Sequence, residues 1–220
     1  MEQRRLLIDV VTDVVCPWCY VGLRSALKAH ERLARDFDAY LRLRPYQLGP
    51  HTPEEGLDRN AYYQLRFPDP VQREASRNAI AEAARRAGFD FDPGVPTRLP
   101  NTLKAHQAMR LAATEGAAIP YARALYDAYW LHDAPIGDIG ALAAIAESAG
   151  LDGSSFRLRM ESGEKLAETA ADAKGLCAAG VSGVPTFIVN ERRGFSGALP
   201  PQELEAAILE AARFSREMSS

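Results

Sequence analysis

Two cysteines separated by two residues, Cys16-Pro17-Trp18-Cys19, stand where an apolar, β-branched run gives way to a helical pattern. The run is Leu6-Leu7-Ile8-Asp9-Val10-Val11, and the helical stripe that follows is Tyr20, Leu23, Leu27 and Leu33. A strand that delivers a cysteine to the first turn of a helix places the sulfur among unpaired N–H groups and at the positive end of the helix dipole. A thiolate is stabilised there, so its pKa is expected to fall from about 8.5 into the range of roughly 3.5–7.5. The spacing and its position therefore read as a dithiol–disulfide centre. Cys16 is expected to be the exposed nucleophile and Cys19, one turn further in, the more buried resolving thiol. The competing reading, half of a zinc site, needs a second Cys/His pair, and the isolated Cys177 and scattered histidines supply none. No metal is expected.

Composition narrows the setting. A net charge of −3 gives no electrostatic case for nucleic acid or an anionic membrane. No apolar run approaches the roughly 18–20 residues of a membrane span, and Met1-Glu2-Gln3-Arg4-Arg5 leads straight into a strand-like stretch without a signal-peptide cleavage region. A cytoplasmic location is expected. In that reducing setting, three cysteines with two in one CxxC favour a catalytic pair over a structural staple.

Along the chain, residues 5–12 read as a strand buried on both faces, 17–35 as a helix with Pro17 in its first turn, and 40–48 as a strand. From about 54 to 163 the sequence is Ala-rich and helical, with helices expected near 71–87, 102–115, 120–131, 138–149 and 154–162. Gly88, Gly116, Gly150 and Gly163 fall where helices should end. An amphipathic helix is expected over 164–178, strands over 186–190 and 195–198, and a last helix from about 200.

Four stretches carry a family resemblance: Asp13-Val-Val-Cys-Pro-Trp-Cys-Tyr-Val-Gly22; Pro45-Tyr-Gln-Leu48; Pro100-Asn-Thr-Leu-Lys-Ala-His106; and Gly180-Val-Ser-Gly-Val-Pro-Thr-Phe187 with Ser196-Gly-Ala198. In these, in this order, the chain resembles the DsbA-like superfamily and, within it, the cytosolic FrnE-like thiol–disulfide oxidoreductases. The resemblance implies an α/β thioredoxin fold, a central mixed sheet flanked by helices, with an inserted all-α helical domain. The thioredoxin-like domain would be discontinuous, residues 1–53 and 164–220, and the insertion would span 54–163. It implies dithiol–disulfide exchange with protein or small-molecule thiol partners and no cofactor beyond the redox-active Cys16–Cys19 pair, with glutathione as a candidate co-substrate. Val184-Pro185 resembles the residue and cis-proline that face the CxxC in such folds. By that resemblance the ring packs beside Cys16 and the Val184 backbone pairs with an extended substrate. Pro17 and Trp18 would tune the thiolate, with Trp18 either stacking on substrate or covering the helix start, and His106 would line the cleft above Cys16.

Other residues have plainer readings. Asp13 fits a helix cap or loop brace, with proton relay to the thiols as the alternative. Asp9, if buried, needs a partner. His30 falls on the apolar stripe of its helix, and His51 and His132 carry no signal. Cys177 reads as a small buried hydrophobe. Two other roles stay open. One is a glutathione-dependent transferase or isomerase of the kappa and hydroxychromene-carboxylate isomerase type, whose members usually carry serine where Cys16 stands. The other is a redox-independent holdase offering Trp18, Tyr62, Tyr63 and Phe67. The substrate, the direction of electron flow and the choice between monomer and homodimer are not fixed by the sequence.

Overall fold

The computed structural model describes residues 4–217, without the side chains of Arg193 and of residues 214–217. Residues 1–3 and 218–220, included in the expected terminal segments, lie outside the described residues. The first strand, β1 (Arg4–Thr12), is central in a four-stranded sheet of order β2-β1-β5-β6. It runs parallel to β2 (Phe37–Pro45) and antiparallel to β5 (Thr186–Val189), which pairs with β6 (Arg193–Ser196). This is the mixed sheet of a thioredoxin fold. β1 is buried from Ile8 to Thr12, as its near-continuous apolar run requires.

One sheet face is covered by α1 (Pro17–Leu33) and α9 (Pro201–Glu217), whose Ala26, Ala29, Leu33, Leu204 and Ile208 close on Leu6, Ile8, Val10, Phe187 and Val189. The other face carries charge. Asp9 is 1% exposed and is gripped by Arg42, with contacts of 2.5 and 2.8 Å, and by Arg44 at 3.4 Å. Arg44 also pairs with Asp172 of α8 (Leu166–Ala178), which Arg110 engages at 2.5 Å. A buried carboxylate needs such partners.

Between β2 and α8 lie α2 (Arg59–Arg66), α3 (Pro70–Arg86), α4 (Leu103–Thr114), α5 (Ala118–His132), α6 (Ile139–Ser148) and α7 (Gly153–Glu161). Three corrections to the sequence reading arise here. The inserted stretch is not all-α: β3 (Leu57–Asp58) pairs with β4 (Arg98–Leu99) in a short antiparallel ladder. Arg98 fastens it by donating to the Glu55 and Gly56 carbonyls. Second, the sequence reading lacks α2, whose apolar residues Tyr62 and Leu65 stay exposed; its one buried residue is Arg59. It starts instead on a side-chain cap, the Asp58 carboxylate accepting from the Ala61 N–H at 2.7 Å. Third, β2 begins at Phe37 and stops at Pro45, which has no N–H to extend the ladder. Gly88, Gly116, Gly150 and Gly163 all have positive φ just past helix ends.

The larger apolar core joins α1 to this helical stretch. At its centre the Tyr20 ring meets Phe89 and Phe91 edge-on, with centroids 5.0 and 4.9 Å away, and stacks at 6.3 Å on Trp130.

Candidate active site

Register alone brings two distant segments together. β1 and β5 are paired from Ile8–Val189 to Val11–Thr186, so the chain leaving β1 and the chain entering β5 emerge at the same end of the sheet. Cys16 therefore faces the Gly180–Pro185 loop. Its thiol donates to the Val184 carbonyl at 3.7 Å, and the Val184–Pro185 bond is cis. Cys16 is the N-cap of α1, with extended backbone, and Pro17 occupies the first turn. The Cys16 carbonyl accepts from the Cys19 and Tyr20 N–H groups at 3.0 and 3.2 Å.

The two sulfurs are free thiols in different surroundings. Cys19 is fully covered. Burial, and then its hydrogen bond to Cys16, pushes its thiol well above the ordinary range, partly opposed by the Thr12 hydroxyl and the Asp13 N–H. That N–H lies 3.5 Å from the Cys19 sulfur. Cys16 is less open than expected, only 6% exposed, because the 184–185 loop and the helical stretch close over it.

The strand-to-helix turn is held from outside by one helix. Tyr126 of α5 shares a 2.6 Å hydrogen bond with the Thr12 hydroxyl, and the Trp130 indole donates to the Val14 carbonyl at 2.8 Å. From α1, the Tyr20 hydroxyl donates back to Asp127 at 2.6 Å.

The remaining residues fall into place as follows. Pro17 and Trp18 are half-buried, and Trp18 packs against the main core. His106 is 2% exposed and does not reach the cleft. Its Nε2 donates to the Tyr46 carbonyl at 2.9 Å, since a carbonyl can only accept. The Asp13 carboxylate lies 3.4 Å from the same nitrogen, whose single proton is already used. Asp13 Oδ1 and His106 Nδ1 are thus buried without a hydrogen-bond partner. Asp13 does not cap α1. Its Oδ2 accepts from the Leu48 N–H at 2.8 Å, bracing the loop after β2, while its own carbonyl accepts from the Cys16 N–H. His30 is satisfied at the Ala39 carbonyl. Cys177 is exposed, not buried, because the covered face of α8 is Thr169, Ala173 and Leu176 and Cys177 stands one position beyond it, beside the Tyr46 hydroxyl. Of the aromatics considered for client holding, Tyr62 and Phe67 are exposed and Tyr63 is half-buried.

Gly22 is a positioning residue the sequence reading quoted without a role. A Cβ there would stand 2.8 Å from Cγ of Pro185, so only glycine lets α1 approach the loop facing Cys16. Gly22→Ala is expected to cost about 1–3 kcal/mol through overpacking and to slow exchange at Cys16. Urea unfolding alongside a disulfide-exchange assay checks both; an unchanged midpoint would show that the loop gives way freely.

Among the described residues no cluster of His, Cys, Asp and Glu could hold a metal ion, and no helix is long and apolar enough to cross a membrane.

Comparison with known proteins agrees with the fold. A family model described as "DSBA-like thioredoxin domain" matches residues 7–209. The Bacillus subtilis (strain 168) protein YwbO, described as uncharacterized, is 28% identical over 186 residues, covering 84% of this chain and 86% of that one. Among solved structures, SCO1869 of Streptomyces coelicolor, described as a "probable DsbA oxidoreductase", superposes with a TM-score of 0.83 at 22% identity, covering 94% of this chain and 89% of the other. The cytosolic disulfide reductase DsbM of Pseudomonas aeruginosa, described with GSH, gives a TM-score of 0.63 at 16% identity, covering 94% and 99%.

Proposed function

The chain belongs to the DSBA-like thioredoxin family, and from that premise we propose that it is a cytosolic, FrnE-like thiol–disulfide oxidoreductase working through Cys16 and Cys19. The observation that carries the proposal is the asymmetry of the pair: one sulfur at the first turn of α1 against the Val184 carbonyl, the other fully covered and held protonated by burial. In the reductive direction the Cys16 thiolate attacks one sulfur of a substrate disulfide. The substrate S–S bond breaks, one thiolate leaves, and a mixed disulfide forms on Cys16. Cys19 then gives up its proton and attacks the Cys16 sulfur, releasing the second thiolate. Two electrons pass from the dithiol to the substrate, and the reverse sequence oxidises a client.

Glutathione is proposed as a co-substrate that returns the pair to its starting state, in line with the description of the Pseudomonas reductase. The test is a titration of the Cys16–Cys19 pair across glutathione redox buffers, with Cys16→Ser as control. A reversible two-thiol transition, absent in the variant, is expected. Its midpoint against a cytosolic poise of roughly −220 to −320 mV assigns a reductant or an oxidant role. Absence of any transition would remove the proposal and favour glutathione-dependent transfer or client holding.

A further inference from the structure

Beside the thiol turn lies a cavity of about 650 Å³ that the redox chemistry described above does not use. That volume is in the range of sites for small ligands rather than of a flat docking face. Pro17 forms one wall, and α2, α3 and the loop at Pro93-Gly94 form the others. Pro17 follows Cys16 directly in the chain, so the cavity and the reactive sulfur are neighbours. Burial raises the Tyr63 phenol on the lining, opposed by the Arg59 guanidinium beside it.

Its charge is one-sided. Arg59, Arg73 and Arg77 all line it, against the single carboxylate of Glu74. Arg77 is engaged by Asp92, with both carboxylate oxygens at 2.6 Å from Nη2. The other two make no direct ion pair among the described residues, although the Asp92 carboxylate also feels the Arg59 charge. Arg73 donates through Nη1 to the Phe67 and Pro68 carbonyls, which fixes the side chain without neutralising it. Arg59 is 7% exposed; its guanidinium lies 4.7 Å from the Tyr63 ring centroid and 5.3 Å from that of Trp130. Its Nε is buried without a hydrogen-bond partner, and Nη1 makes only a 3.4 Å contact to the Pro96 carbonyl. A buried cation with an unused donor at a cavity wall is costly unless an anion arrives to meet it. The fork geometry of a guanidinium suits a carboxylate.

We propose that this cavity is a subsite for the carboxylate ends of small anionic disulfides, held by Arg59 and Arg73 while Cys16 attacks the substrate sulfur. The inference rests on the exchange activity proposed above and adds a substrate class to it. The Cys16 thiolate displaces one carboxylate-bearing thiolate from the disulfide, and Cys19 displaces the other from Cys16. The enzyme dithiol becomes a disulfide and two substrate thiols are produced, so that atoms and electrons balance.

The experiment measures second-order rate constants for oxidation of the reduced protein by three probes: 3,3′-dithiodipropionate (dianion), 2-hydroxyethyl disulfide (neutral) and cystamine (dication). Each is normalised to its rate with dithiothreitol, which removes intrinsic reactivity. The normalised dianion rate is expected to exceed the neutral one by about tenfold, the worth of one charge-assisted hydrogen bond. The dication is expected to be slowest. Arg73→Gln should slow the dianion several-fold more than the neutral probe, and Arg73→Lys should restore part of that difference. Equal normalised rates for all three probes would overturn the subsite while leaving exchange intact. So would an Arg73→Gln variant slowed equally toward all three, since that marks a structural effect. If no probe oxidises the protein, the exchange reading fails and the subsite fails with it.

Discussion

Protein carrying Cys19→Ser is expected to stop halfway, accumulating one equivalent of a mixed disulfide on Cys16 instead of turning over. The expectation follows from the division of labour between the sulfurs. Cys16 meets the Val184–Pro185 loop and can be attacked or attack, whereas Cys19 has no exposed surface and is reached only by Cys16. A serine hydroxyl cannot form the second S–S bond, so the adduct persists until an external thiol removes it. The variant belongs in a Cys177→Ala background, because Cys177 is exposed and would react independently. Intact-mass measurement after exposure to 2-hydroxyethyl disulfide, without excess thiol, reads the adduct directly. Continued turnover, or an adduct that maps elsewhere than Cys16, would contradict the assignment.

The largest expected effect on stability is at Trp130. Its side chain is fully buried, stacks on Tyr20, meets Phe91 and Tyr129 edge-on, and donates to the Val14 carbonyl. Trp130→Ala is expected to cost about 3–5 kcal/mol, from lost transfer free energy and the cavity left behind. That is a large part of the whole stability of an ordinary domain. Trp130→Phe keeps most of the packing but leaves the Val14 carbonyl unmet, a loss of about 1–3 kcal/mol. Denaturant unfolding separates the two. A cost under about 1 kcal/mol for the alanine variant would mean that the core collapses around the gap and that the indole is not what holds the turn.

What could be read from the sequence was whatever local chemistry announces. The strand before Cys16, the helix after it, the amphipathic elements at the C-terminal end and the glycines closing four helices are short-range signals, and they lie where expected. The thioredoxin arrangement followed from their order. Features governed by long-range contact were not legible. Helix α2 buries no apolar stripe, since it rests on a cap and on the stacking of Arg59 over Tyr63 and Trp130. His106 has no local cue for its burial beneath Asp13, because Tyr46, which accepts its proton, is 60 residues away in the chain. Cys177 was misplaced by one position on a helical wheel, a small angular error that turns a side chain from core to solvent. The Gly22–Pro185 approach joins two motifs that were each recognised, yet the reason for the glycine lies in the other motif.

Helix α5 touches the thiol turn at Thr12, Val14 and Tyr20 through residues 126, 130 and 127, all within little more than one helical turn. For protein engineering this makes the inserted helices a poor module to exchange. A replacement could match the cavity and the surface of this stretch and still mis-set the sulfur, because the tolerance at stake is the length of three hydrogen bonds from a single helix. Grafting between chains should therefore take α5 together with the β1–α1 turn as one inherited unit, although 114 residues separate Thr12 from Tyr126.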